Sequence, residues 1–310
     1  MFLRVKSMQY WKQVYKIVFP KLNITFENNL HIGFSIEKDT TTESNKAKLE
    51  IHNLSDATRK AIETPDTEVE IYAGYERAGG AVLAFRGTVT YGLTRDAGTD
   101  CTTTLELADG TIALRDSYCS LSYAPNTSAK TIIQRCANEM GVPVVYGDDV
   151  GELESYKNGF SFYGQAKDAL TEICDALGLS WSIQNNILNV ILAGGTATNR
   201  GLVFSPQSGL VGVPERIVQA EYKSNKTNPK KKEKEKAKKE KPRKKAGWKI
   251  NTLLVPSVNP ADKVKVESKF ITGWFRVEKV SHQGEYNGTN WGSAMELIEV
   301  NDAEQSADKQ

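Results

Sequence analysis

Cysteine, histidine and long apolar runs are all scarce in this chain. Its four cysteines, Cys101, Cys119, Cys136 and Cys174, are scattered over 310 residues without a Cys-x-x-Cys pair or a cysteine–histidine cluster. That spacing speaks against a zinc site and fits free thiols made in a reducing cytosol. Three histidines, His31, His52 and His282, stand apart from one another in sequence, two of them in strand-like patterns. No serine, histidine and aspartate fall into a nucleophile-elbow motif, and there is no glycine-rich phosphate loop and no HExxH. The expectation is therefore a protein that is not an enzyme, with no catalytic residue, no cofactor and no metal. Asp148, Asp149, Glu152 and Glu154 form one acidic cluster. It has the composition of a metal site or a glycosidase pair, but its plainer reading is a solvated connector. No stretch approaches the roughly 18 to 20 apolar residues of a membrane span. The first 19 residues are broken by Lys6, Lys12 and Lys16 and lack the pattern of a secretory signal. Membrane insertion is not expected.

What is abundant is lysine, in one place. Residues 223–245 hold 13 lysines or arginines and three glutamates. Taking these from the 40 basic and 38 acidic residues leaves 27 against 35, so a body near −8 carries a cationic segment. Its densest part comprises Lys230, Lys231, Lys232, Lys234, Lys236, Lys238, Lys239, Lys241, Arg243, Lys244 and Lys245. Like charges at this density oppose compaction, so a disordered insertion over about 223–246 is expected. Lysines can hold phosphates by releasing counterions. The run contains no aromatic residue, so it offers bases nothing to stack on. A solvated loop, docking on an acidic partner and nucleic-acid binding all stay open, and these eleven residues are the partner-binding candidates.

The stretch 164–192 organises the rest. Ala166, Ala169, Leu170, Ile173, Cys174 and Leu177 recur at helical spacing, and Gly178 ends the pattern. Leu179, Trp181 and Ile183 then alternate with polar residues, Asn185-Asn186 marks a tight turn, and Ile187, Val190 and Leu192 begin a return strand. A similar pattern lies 37 positions earlier, where Ala129-Lys130 matches Ala166-Lys167 and Met140-Gly141-Val142 matches Leu177-Gly178-Leu179. Two copies fit a small α+β unit with two helices against a sheet; the alternative is coincidence, because helix–glycine–strand is a common order. Asn126 or Thr127 is expected to cap the first helix, and residues 146–159 read as a polar connector. Tyr163 and Trp181 are candidate binding aromatics, with a place in the core as the plainer reading.

On both sides the pattern has a period of two. Leu22, Ile24 and Phe26, then Leu30, Ile32 and Phe34, then Ala47, Leu49 and Ile51 alternate with polar residues. Ser55 is placed to cap a short helix over 56–62. Gly79-Gly80, 96–98 and Asp109-Gly110 read as turns, so many short strands imply a sandwich or barrel. After 200 the same grammar returns around Val264, Val266, Phe275, Val277, Val280, Met295, Leu297 and Val300. The expected fold class is mostly β within α+β, with two antiparallel barrel or sandwich domains flanking a small α+β domain. The expected boundaries are 1–118, 119–197 and 198–301, followed by a disordered tail over 302–310.

This order of parts resembles the baseplate hub proteins of contractile-tailed bacteriophages, a family with relatives in tailocins and type VI-like injection machines. The resemblance is carried by Asn53-Leu54-Ser55, Ala73-Gly74-Tyr75, Phe85-Arg86-Gly87 and Asp109-Gly110. The 160–192 unit, Ser205-Pro206, Gly209-Leu210 and Val213-Pro214-Glu215 continue it. It covers about residues 8–300, and the lysine run departs from it. It implies a structural subunit forming a homotrimer, with two tail-tube-like β domains per chain making a pseudo-sixfold ring. Such a ring joins the tail tube to the central spike and lets DNA pass. Implied partners are the tail tube or distal tube protein, the spike, the tape-measure protein and neighbouring baseplate proteins, with DNA only as passing cargo. The implied location is the virion baseplate, assembled in the host bacterial cytoplasm. A cell-wall protein that binds or degrades peptidoglycan, and nucleic-acid binding through the lysine run, are the rival readings.

Overall fold

The computed structural model describes residues 11–96, 98, 100–198, 201–218 and 246–300. The lysine run and the tail beyond 300 lie outside these residues. The first part runs β1 (Gln13–Phe19), β2 (Ile24–Glu27), β3 (Ile32–Asp39), β4 (Lys46–His52), α1 (Asp56–Ile62), β5 (Glu68–Tyr75), β6 (Gly80–Asp96) and β7 (Cys101–Ala108). The middle part runs α2 (Thr111–Asp116), β8 (Tyr118–Tyr123), β9 (Thr127–Ser128), α3 (Ala129–Glu139), β10 (Val144–Tyr146), β11 (Ser155–Tyr156) and β12 (Phe160–Gln165). It ends with α4 (Ala166–Leu177), β13 (Leu179–Gln184) and β14 (Ile187–Leu192). The last part runs β15 (Gly201–Phe204), β16 (Leu210–Val218), β17 (Ala246–Leu253), β18 (Lys263–Glu267), β19 (Thr272–Glu285) and β20 (Trp291–Glu299). Among the described residues no helix is long and apolar enough to cross a membrane. The fold is mostly β, as the periodicity implies.

Local signals behave as physical chemistry requires. Ser55 caps α1, its side chain accepting the Thr58 N–H. Gly178 takes φ +69 and ends α4, a backbone shape open to glycine because it has no Cβ. Asn185 and Asn186, with φ of 55 and 60, make the turn between β13 and β14. Two local expectations are corrected. The residue capping α3 is Ser128, without a side-chain bond. Asn126 instead turns at φ +68, and Thr127 pairs with Tyr156 in a short ladder that keeps the chain extended up to the helix. Asp109-Gly110 is not a plain hairpin turn, because Gly110 opens α2.

The strands of the first and last parts belong to one 13-stranded sheet. Its path is β16-β17-β20-β19-β3-β4-β7-β6-β5-β1-β2, with β18 on β19 and β15 on β18. The two parts meet where β19 pairs with β3, from Lys279 opposite Asp39 to Glu285 opposite Gly33. Three apolar clusters follow the three parts of the chain. The first contains Ile17, Ile36, Leu49, Ile71, Phe85 and Leu105, and borrows Leu254 and Trp291 from the last part. The second packs α3 and α4 through Ile132, Ile133, Cys136, Leu170, Ile173 and Cys174 onto Trp181, Leu188 and Val190. The third includes Ile250, Val264, Val266, Val277, Val280 and Leu297. Each of these large aliphatic side chains, fully buried, contributes about 1.5–3 kcal/mol.

Candidate functional site

Two features stand out once the strands are paired: a buried polar junction and an ordered charged face. The junction begins with Lys38. On β3, Ile32, Phe34, Ile36 and Lys38 all point inward, so the pleat carries a lysine into the interior, where it is 1% exposed. Its ammonium donates to Asn185 Oδ1 at 2.9 Å and to Asn259 Oδ1 at 3.0 Å. Three parts of the chain therefore share one cation: a strand of the first, the β13–β14 turn of the middle, and the loop before β18.

Carboxylates surround that cation without bonding to it directly. Buried Asp109 accepts from the Asn45 N–H at 2.9 Å, Asn45 Nδ2 at 2.9 Å and the Asn185 N–H at 3.0 Å. Asn45 Nδ2 also reaches Ile183 O and Gln184 Oε1, while Gln184 Nε2 donates to Asp39 O at 2.8 Å. Asn186 Oδ1 accepts the Gly110 N–H. On the other side, Asp262 Oδ2 accepts the Asn259 N–H at 2.8 Å. The buried Arg276–Glu278 ion pair lies nearby in the chain, with Arg276 Nη1 on Gly195 O at 3.1 Å and Thr40 on Glu278.

Burial dominates the protonation of this group. It pushes Lys38 down to about 8, opposed by the fields of Asp109 and Asp262. It pushes Asp109 and Asp262 up to about 6. His282 is pushed down to about 3 by burial and by Lys38, so its imidazole is neutral, bonded through Nδ1 to Ser293 Oγ at 2.8 Å. A sign follows for stability. A carboxyl with a raised folded pKa takes up protons more readily folded than unfolded, so its contribution is present below the ordinary 3.8 and lost as pH rises through about 6. Lysine with a lowered value contributes above 10.5 and loses that as pH falls through about 8. The part contributed by Lys38 and the two carboxyls is thus expected to be lowest between roughly pH 6 and 8, while His282, lowered from 6.5 to about 3, contributes above 6.5 and loses that as pH falls, a change common to the wild type and an Asp262 variant. In unfolding measurements, the wild type should gain roughly 1–3 kcal/mol from pH 7 to pH 4.5 relative to an Asp262→Asn variant. Parallel pH profiles for the two proteins would refute this.

The second feature is the outward face of the sheet. Cross-strand partners point to the same side, so the register lines up Glu215 with Lys249, Lys249 with Glu296, and Glu296 with Lys279. The line then crosses the seam. Lys279 stands opposite Asp39, its ammonium 2.9 Å from Glu37 Oε2, and Glu37 stands opposite Lys46. Lys48, beside Glu50, faces Glu106. Farther on, Arg86 meets Glu70 at 2.8 Å and Lys16 stands opposite Glu27. From β16 to β4 the sign of the charge alternates strand by strand; beyond β7 the line ends, since Glu106 stands opposite Tyr91 and Glu70 opposite Val18.

The chain's overall architecture has close parallels in solved structures. A tail protein from Neisseria meningitidis MC58 superposes with a TM-score of 0.62 at 11% identity, over 93% of this chain and 97% of that one. The 43 kDa tail protein of prophage MuSo2 from Shewanella oneidensis gives 0.60 at 12% identity, over 94% and 97%. The fold is that of phage tail proteins. An E. coli component of the type VI secretion system, itself described as similar to T4 bacteriophage tail proteins gp27 and gp5, gives 0.55 at 10% identity, over 88% and 74%. No protein-family model and no curated protein matches the chain. The resemblance to hub proteins read from the sequence thus holds at the level of the fold.

Within this tail-protein fold the sequence-predicted residues fall unevenly. The eleven basic candidates, from Lys230 to Lys245, lie outside the described residues; the flanking Val218 and Ala246 pair with each other across β16 and β17. His31 and His52 are not isolated, because adjacent strands set their rings 4.7 Å apart. Trp181 is core, 4% exposed, its indole N–H on Thr171 Oγ1. Tyr163, expected more as core, is 88% exposed, because on β12 it shares the outer side with Ser161 and Gln165. Across the ladder Gln165 faces Tyr118, itself 64% exposed. Among the described residues no three His, Cys, Asp or Glu side chains are grouped to hold a metal, Asp148 to Glu154 included. Sequence reading missed Lys38, Asp109, Asn185, Asn259 and Asp262. One signal was available: Lys38 continues the inward phase of Ile32, Phe34 and Ile36.

Proposed function

We propose that this chain is a structural baseplate hub subunit of a contractile phage tail, without enzymatic activity. Three copies form a pseudo-sixfold ring that joins the tail tube to the central spike and lets DNA pass. The carrying observation is the β19–β3 seam, which welds the β parts at each end of the chain into one sheet. A subunit with two such parts supplies two ring positions, so three copies complete six. In this reading residues 1–118 and 198–301 are the ring-forming domains and 119–197 is carried on the rim by the Lys38 junction. Sheets of this size have free edges, and ring closure is one way to cover them. Tube, spike, tape-measure and neighbouring baseplate proteins are the partners in this reading, and the virion baseplate, assembled in the host cytoplasm, is its location. The lysine run serves an acidic neighbour rather than the passage, since exposed cations would hold DNA by its phosphates.

Light scattering over a range of concentrations tests the ring. The expected mass is three times 34.3 kDa, alone or on addition of the cognate spike. A stable dimer, or a monomer that the spike does not trimerise, would count against it. A second reading has one observation in its favour: the exposed Tyr163 and Tyr118 suit cell-wall glycan. Sedimentation with purified peptidoglycan, lost in Tyr163→Ala, would favour that reading. For the run, deleting 223–245 is expected to remove salt-dependent retention on an acidic partner while leaving the ring mass per subunit intact. Undiminished retention would clear the run of that role.

A further inference from the structure

Strand pairing brings together two histidines that the sequence keeps apart. The β3–β4 ladder continues past Ile32 and Ile51, where the His52 N–H donates to His31 O at 3.1 Å, so the two imidazoles leave directly opposed positions on one face. Their ring centres are 4.7 Å apart. Two imidazoles bound to one ion through nitrogens about 2.0–2.1 Å from it, at about a right angle, have ring centres about 4.5 Å apart. The surroundings suit a cation. Glu50 and Glu285 flank Gly33 from β4 and β19, on the same face as the histidines, and Gly33 has no side chain to fill the space between them. Glu285 Oε1 lies 3.5 Å from His31 Nε2, while Glu50 is held by Lys48 at 2.6 Å. Thr102 Oγ1 lies 3.1 Å from His52 Nδ1, where a hydroxyl orients a ligating imidazole and leaves Nε2 to the ion. His31 and Glu285 are about half exposed, so an ion can reach them.

We propose that His31 and His52 form a two-imidazole site for a divalent late transition-metal ion, with Glu285 beside it and water completing the coordination. Imidazole suits nickel, copper and zinc ions, whereas magnesium and calcium prefer oxygen. Among the described residues no third ligand is grouped with the pair, so the site is open and exchangeable rather than a closed structural centre. Its place gives it a consequence. His52, His31 and Glu285 stand on or beside β4, β3 and β19, so a bound ion clips three neighbouring strands at one end of the seam. Ion binding here does not depend on how copies of the chain assemble. The plain alternative is an ion pair of protonated His31 with Glu285, with His52 packed beside it.

Calorimetric titration of the untagged full chain with nickel chloride decides. One ion per chain is expected, with magnesium in about hundredfold excess failing to compete. His31→Ala and His52→Ala should each weaken nickel binding about a hundredfold, because the second imidazole acts at an effective concentration that the free ion does not reach. The double variant should lose little beyond either single, as two groups that hold one ion are not additive. Glu285→Gln should weaken binding about tenfold, the usual cost of losing a partner beside a metal's ligands. All three side chains lie at the surface, and unchanged melting temperatures without nickel verify that the variants fold. With nickel at about a hundred times its Kd, the wild type should melt about 4–8 °C higher and neither histidine variant should gain. A wild type that neither binds nickel nor gains stability from it overturns the proposal and leaves the ion pair. So do full competition by magnesium, single losses that simply add in the double, or an equal thermal gain in the histidine variants. An unweakened Glu285→Gln overturns the part given to Glu285 and with it the clip across the seam.

Discussion

Replacing Lys38 by methionine is expected to destabilise the protein by about 3–5 kcal/mol, the usual cost of breaking a buried charged contact by removing one partner. Methionine fills much of the same volume, so the loss isolates the ammonium from its stem. The Asn185 and Asn259 side-chain oxygens lose their shared donor, and the buried carboxyls of Asp109 and Asp262 lose a cation whose field lowers their pKa. Because the contacts bind three parts of the chain, the damage should be local before it is global. Hydrogen exchange should accelerate first in the 183–187 turn and the 256–262 loop, with the β19–β3 seam still protected. Adding Asp262→Asn should recover part of the loss by removing one uncompensated charge. A change below about 1 kcal/mol in Lys38→Met would mean that the network closes without its cation, and the junction would lose its place as the tie between the parts.

Gly284→Ala is expected to be nearly as damaging, at the other contact between the parts. Gly284 stands opposite Phe34 in the seam, and a Cβ there would lie 2.3 Å from the Phe34 ring and 2.9 Å from Trp291. Phe34 and Trp291 meet edge to face at 5.4 Å, so neither ring can withdraw without uncovering the first core. Overpacking of this kind costs about 1–3 kcal/mol, and more where rings cannot rotate away. Under the hub reading the variant should also fail to reach the trimer mass at concentrations where wild type does. A variant that unfolds and associates like wild type would show that the seam tolerates a methyl group.

Much of the fold was legible because it is local. The alternation of Ala47, Leu49 and Ile51 marks β4, and the spacing of Ala166, Ala169, Leu170 and Ile173 marks the buried face of α4. Ser55 and Gly178 signal helix ends through bonds and dihedrals that involve only near neighbours. The misses share a cause. Asp109 reads as a turn residue because turns favour aspartate, while its real partners are Asn45 and Asn185, 64 and 76 positions away. Tyr163 reads as core because aromatics are usually covered, and nothing local says that a two-stranded ribbon has an outer side.

By itself, then, the sequence determined most strands of the first and last parts, the helices α1, α3 and α4, the ends at Ser55 and Gly178, and the acidic body with its cationic run. These follow from side-chain periods of two and 3.6, from capping chemistry and from counting charges. Only the tertiary structure decided that β3 pairs with β19, that Lys38 answers to Asn185 and Asn259, and that the exposed charges alternate across the sheet. The seam and the Lys38 junction join residues more than a hundred positions apart, as Lys38 is joined to Asn259 over 221 and Lys279 to Glu37 over 242. No propensity or period carries information over that distance. Register and burial do, and they exist only once the chain has closed on itself.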